Sequence, residues 1–160
     1  MRDLETIEAA LTIAETGHLV FATLHTMSAT QTVDRILDSF EGERQAQARL
    51  MLSESLKGVL AQRLLRRRDG QGRALAMEVL IGTPAVSALI REKKTFQLAS
   101  VLQTGKKEGM QTMDEAVIQL VREGICAPED AIAHLSSKEM MPMLEAAAPS
   151  TPPPPRAQAA

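Results

Sequence analysis

Gly17-His18-Leu19-Val20-Phe21-Ala22-Thr23-Leu24-His25-Thr26 is the stretch that decides how this chain is read. Two histidines bracket a short apolar run that ends on polar residues. The run reads as a buried strand over His18–Leu24. In open α/β sheets, ligands sit beyond the carboxyl ends of the strands, which puts His25 and Thr26 at the expected functional edge. Upstream, Leu4, Ile7, Leu11 and Ala14 recur at spacings of three and four, one apolar stripe on a helix from about Asp3 to Thr16. Asp3 suits its N-cap and Gly17 its stop. Downstream, Ser28 or Thr30 opens a helix with Val33, Ile36, Leu37 and Phe40 on one face.

Gly42 breaks that helix. Another is expected from about Glu43 towards Lys57, with Leu50 and Leu56 among its apolar positions. Val59–Arg67 and Arg73–Ile81 then flank Asp69-Gly70-Gln71-Gly72, which is turn chemistry, and a β-hairpin follows. In its second strand Leu75, Met77, Val79 and Ile81 alternate with neighbours that include Glu78. Thr83 as N-cap and Pro84 at the first helical position restart helix to about Glu92. A further helix covers roughly Thr95–Gln103, closed by Gly105. Thr112-Met113-Asp114-Glu115 is a capping box that opens a helix carrying Val117, Leu120 and Val121. Pro128 begins a short helix through about His134. Pro149–Ala160, with four consecutive prolines, is expected to be a disordered, partly polyproline tail.

The chain has 160 residues, about one domain's worth. Aromatics make up 2%, with no Trp and no Tyr, so the core must come from Leu, Ile, Val, Ala and the 9 Met. A net charge of -2 argues against a general nucleic-acid coat. The single cysteine, Cys126, forms neither an intrachain disulfide nor a cysteine zinc site, and reads as a small core residue. No apolar stretch nears the ~20 residues that span a bilayer, and no signal-peptide pattern follows Met1. A cytoplasmic location is the expectation.

His18 and His25 would lie roughly 20 Å apart on a regular strand, too far to share one metal ion. His18 reads either as a capping or packing residue or as a second group in the same role as His25. His25 reads either as a loop residue or as a group beside a reacting phosphate, since a neutral imidazole both donates and accepts. Arg2, Asp3 and Glu5 read as helix-dipole compensation or as a nucleotide-site rim. Arg63, Arg66, Arg67, Arg68 and Arg73 around the hairpin turn suit a solvated edge or an acidic or phosphate-bearing partner. Nucleic acid is a poorer fit, as no aromatic there could stack on bases. No G-x-x-x-x-G-K-S/T run occurs, so no phosphate-cradling loop lies within the chain.

Several ordered stretches together carry a resemblance. Met1-Arg2-Asp3-Leu4-Glu5-Thr6-Ile7, Ala14-Glu15-Thr16-Gly17-His18-Leu19-Val20 and Ala22-Thr23-Leu24-His25-Thr26 resemble the secretion-superfamily ATPases, on the PilT/PilU branch of type IV pilus retraction motors. The likeness continues through Asp34-Arg35-Ile36, Met51-Leu52-Ser53-Glu54-Ser55-Leu56, Ile81-Gly82-Thr83-Pro84-Ala85 and Gly109-Met110-Gln111-Thr112-Met113-Asp114. In that family the two histidines form a "His box", matched by His18 and His25, and the segment at Met1 follows the Walker B strand. Extension and type II relatives often carry a four-cysteine zinc module, which one cysteine excludes. The retraction signature A-I-R-N-L-I-R-E is matched at Ala85-Val86-Ser87-Ala88-Leu89-Ile90-Arg91-Glu92, with departures at Ser87 and Ala88.

The resemblance implies an α/β fold: the C-terminal part of a RecA-like P-loop ATPase domain with a β-hairpin and a helical C-terminal subdomain. The implied organisation is 1–82 as core with His box and hairpin, 83–145 as helical subdomain, and 146–160 as tail. It implies a cytoplasmic homohexamer that binds ATP and magnesium between subunits in the complete protein. The motor would turn an inner-membrane platform protein, with no nucleic acid partner and contact with the membrane only through that protein. His25 is implied near the terminal phosphate, with His18 as a second residue and Arg2 at the nucleotide rim. The competing expectation is a truncated paralogue that docks on a full-length motor without catalysis. Neither ATP nor magnesium should bind tightly to the 160-residue chain itself, and that chain should release no phosphate from ATP. Steady-state phosphate release by contaminant-free protein, abolished by His25→Ala, would refute this.

Overall fold

The computed structural model describes residues 3–147. Its fold is α/β: helices with one two-stranded antiparallel sheet among the described residues. In chain order the elements are α1 (Leu4–Glu15), α2 (Ala29–Leu37), α3 (Gly42–Ser55), β1 (Gly58–Arg66), β2 (Arg73–Ile81), α4 (Pro84–Arg91), α5 (Leu98–Thr104), α6 (Met113–Arg122), α7 (Pro128–Ala131) and α8 (Met141–Ala147). Arg2 and the proline-rich tail lie outside the described residues. No helix among those described is long and apolar enough to cross a membrane.

The chain divides into two compact units, residues 1–60 with 79–110 and residues 61–78 with 111–160. The 82/83 division drawn from the sequence falls inside the first unit. That unit holds a core of Ile7 and Leu11 from α1, Val33, Ile36 and Leu37 from α2, and Met51 and Leu52 from α3, with Val86 and Ile90 from α4. The caps read from the sequence are present. Asp3 accepts from the Thr6 amide at 2.8 Å and from its hydroxyl at 2.7 Å, and those bonds hold its carboxyl below the usual range. Thr83 accepts from the Val86 amide. On α3 the buried positions are Ala48, Met51, Leu52 and Ser53, while Leu50 is 47% exposed. A helix buries one stripe, and Leu50 lies off it.

One backbone crossing fixes this unit. The Gly82 amide donates to the Lys57 carbonyl at 2.9 Å, joining the entry of β1 to the exit of β2. A Cβ on Gly82 would run into the Leu56 carbonyl oxygen and stand 2.9 Å from its carbon. Backbone yields less readily than a flexible side chain, so only glycine fits.

The second unit has its own core: Leu65, Ala74 and Ala76 from the hairpin, Met113, Ala116, Val117 and Val121 from α6, and Cys126, Ala131 and Leu144 beyond it. Burial pushes the Cys126 thiol up, away from the reactive thiolate. The capping box closes as read: Thr112 accepts from the Glu115 amide, and the Glu115 carboxylate accepts from the Thr112 amide at 3.1 Å. The Gln111 side chain donates to the Met77 carbonyl at 2.9 Å, tying the start of α6 to β2. Asp114 accepts from the Ser136 amide and hydroxyl, which fastens the return towards α8.

Two flanking bonds, Arg67 amide to Gly72 carbonyl and Gly82 amide to Lys57 carbonyl, give the hairpin register. Leu64 stands opposite Leu75, and Arg66 opposite Arg73. The alternation expected in β2 is real, but its inner face is Ala74 and Ala76, with Leu75 46% exposed. Period-two patterning fixes which residues share a face and leaves open which face turns inward. Here the alanines share the core with α6.

Two measurements follow. Gly82→Ala should cost about 1–3 kcal/mol of stability through overpacking, read as a lower urea midpoint, whereas an unchanged midpoint would show that the crossing does not hold the unit together. His134 is depressed below its ordinary 6.5 by burial and then by Arg63, which also donates to its carbonyl at 2.9 Å. The unfolded chain therefore binds the proton more readily. Its contribution to stability is complete above about pH 6.5 and is lost as pH falls through the lower folded value. His134→Gln should flatten the pH dependence of unfolding below about 6.5.

Candidate functional site

The His-bearing segment starts from a helix stop. The Gly17 amide donates to the Ala14 carbonyl at 3.1 Å and the His18 amide to the Ile13 carbonyl at 3.3 Å. With Gly17 at φ +91°, this is the paired-bond termination that favours glycine at C′. His18 is thereby fixed as the first residue beyond the turn. The Thr16 hydroxyl donates to the Ile13 carbonyl at 2.8 Å, and its oxygen lies 3.1 Å from His18 Nδ1.

Residues 18–26 belong to no strand, which corrects the expectation of one over His18–Leu24. A strand exists only through a ladder to a neighbour, and β1–β2 is the one sheet among the described residues. Burial fails with it. Leu19 is 73% exposed, Phe21 89% and Met27 62%, while Leu24 packs against the first core.

The other end is anchored at α2. Ser28 caps that helix, accepting from the Gln31 amide at 3.2 Å, and the Gln31 side chain accepts from the Met27 amide. The Thr32 hydroxyl donates to the Ser28 carbonyl at 2.9 Å, so the Thr26 hydroxyl is the donor in its 2.7 Å bond to Thr32. His25 is exposed immediately before this anchor. His18 and His25 thus sit at the two ends of one open segment, each beside a helix terminus. Thr26 stands at the edge expected from the sequence, whereas Thr16 and Thr32 carry no such sequence signal. The Thr16 and Thr32 hydroxyls are spent on local backbone, a role the residue type suggests only at a helix end, and the Thr26 hydroxyl is spent on Thr32.

Arg2 lies outside the described residues, so the structure does not place it. Among the described residues no three His, Cys, Asp or Glu side chains gather as a metal site. Of the hairpin arginines, Arg67 pairs with Asp69 at 2.7 Å and holds that carboxyl below its usual range, and Arg63 is spent on His134.

The model of the family Type II/IV secretion system protein matches residues 1–69, which contain the whole open segment. A Neisseria gonorrhoeae twitching motility protein is 55% identical over 141 residues, 88% of this chain and 38% of that protein. The Pseudomonas aeruginosa type IV pilus retraction ATPase PilT is 54% identical over 131 residues, 82% of this chain and 38% of its own length. The chain belongs to the type II/IV secretion system protein family, on its PilT-like branch. A crystal structure of the pilus retraction motor PilT with bound ADP superposes with a TM-score of 0.76 at 45% identity, over 87% of this chain and 38% of that one. This PilT-like chain therefore spans a little over a third of the length of the relatives it matches.

Proposed function

We propose that this PilT-like chain is the C-terminal part of a pilus retraction motor, with His25 reading the terminal phosphate of ATP. The open segment with a histidine at each end carries the reading. It lies within the span matched by the family model, in a chain more than half identical to a retraction ATPase. Exposed imidazoles suit contact with a phosphate group or its attacking water, being donor, acceptor or cation by turns. They do not suit holding the nucleotide, since no glycine-rich loop with its lysine is present to cradle phosphates. ATP, with magnesium, would be bound by groups outside this chain and meet His25 and His18 at the subunit boundary of a homohexamer. Magnesium would screen the phosphate charge there, and the histidines and Arg2 would position and report.

In this reading the motor is cytoplasmic and touches the membrane only through an inner-membrane platform protein. Helix α4 carries the output and no chemistry, and its Arg49-capped end keeps it firmly in the first unit: Arg49 Nη1 donates to the Ile90 carbonyl at 3.1 Å. The exposed Leu19 and Phe21 favour one other reading, a non-catalytic module that docks on a full-length motor. Co-purification with such a motor, without turnover of its own in any setting, would select it.

The test joins this chain to the portion of the P. aeruginosa retraction ATPase that it does not span. The chimera should hydrolyse ATP, and His25→Ala should lower kcat roughly a hundredfold, the scale of one lost transition-state contact. Wild-type turnover in that variant would remove His25 from the site.

A further inference from the structure

We infer that Thr16 is a positioning residue that holds His18 as the Nδ1–H tautomer and leaves Nε2 as a bare acceptor. The inference rests on the reading of His18 as a site residue for its functional meaning, and on geometry alone for the tautomer.

A hydroxyl carries one proton. The Thr16 proton is committed to the Ile13 carbonyl at 2.8 Å. The Thr16 oxygen can therefore only accept from the ring, 3.1 Å away at Nδ1. In neutral His18 the ring proton must then sit on Nδ1, and the second nitrogen has only a lone pair to offer. Free imidazole side chains favour the opposite tautomer, with the proton on Nε2, so the choice is imposed by Thr16. The stop at Gly17 makes the imposition possible. The bonds Gly17 to Ala14 and His18 to Ile13 turn the chain back over the last turn of α1, where the Ile13 carbonyl receives both the His18 amide and the Thr16 hydroxyl.

The consequence divides the labour of the two histidines. A bare Nε2 cannot donate to a phosphate oxygen. It can accept from a water molecule, and orienting the attacking water is a task that phosphoryl transfer needs. Neutral His18 is thus suited to holding water, which leaves contact with the phosphate oxygens to His25.

The test reads the ring nitrogens of the 160-residue chain by 15N NMR at a pH where His18 is neutral, assigned by loss of the signal in His18→Ala. Expected is a protonated, pyrrole-type Nδ1 and an unprotonated, pyridine-type Nε2. Thr16→Val should reverse the pattern towards the Nε2–H form, and Thr16→Ser should restore it. A wild-type ring protonated on Nε2 would overturn the inference even if Thr16→Val failed to fold, as would a pattern indifferent to Thr16→Val. In the chimera, Thr16→Val should lower ATP turnover about tenfold with KM unchanged, and Thr16→Ser should not. If His18→Ala leaves turnover intact while the tautomer responds to Thr16, the site reading of His18 fails and the positioning of its proton stands.

Discussion

The contact of the Gly82 backbone with the Leu56–Lys57 backbone is the constraint on which the first unit depends. Four elements change direction there: α3 ends, β1 starts, β2 ends and α4 starts. One hydrogen bond, Gly82 to Lys57, closes the hairpin's base, and the missing side chain lets the two backbones touch. Leu52, Val59, Leu80 and Val86, one from each of those four elements, are all buried in the first core. The core that carries α1 and α2 is continuous with this junction, and those helices hold the two ends of the open segment. A shift at Gly82 would therefore be felt as lost packing before it was felt as lost chemistry.

The open segment has the opposite character. It is ordered at its ends by backbone and hydroxyl bonds, and Leu19 and Phe21 between those ends stand exposed. Exposed Leu19 and Phe21, two residues apart, are an unfavourable surface for a chain left by itself. The same stretch carries the two histidines, so the groups proposed to meet a nucleotide flank its exposed apolar residues. In the proposed motor, a neighbouring strand supplied from outside this chain would complete both the packing and the site.

What could be read from the sequence was local. The Asp3, Thr83 and Thr112 caps and the Asp69-Gly70 turn act over three or four residues, and each formed as its chemistry dictates. Non-local outcomes were less legible. His18–Leu24 has the composition of a buried strand, yet a strand needs a neighbour, and the apolar pattern says nothing about whether one is present. Leu75 has the right alternation and the wrong face, because core space near α6 suits Ala74 and Ala76. Helix α8 has little local signal: its Met and Ala residues carry no strong cap, and buried Leu144 anchors it through tertiary packing. Of the site, the histidines were visible by type and spacing, whereas Thr16 and Thr26 acquire their roles only from the turn of the backbone around them.

Amide hydrogen exchange over Leu19–Ala22 tests the central claim most directly, because exchange reports whether a backbone amide has a partner. In the 160-residue chain these amides should exchange quickly, while those of α3 and α6 are protected. In the chimera with the P. aeruginosa retraction ATPase they should become as slow as core strand amides. Slow exchange in the isolated chain, or fast exchange that persists in an active chimera, would contradict the view that this segment is a site strand awaiting its sheet.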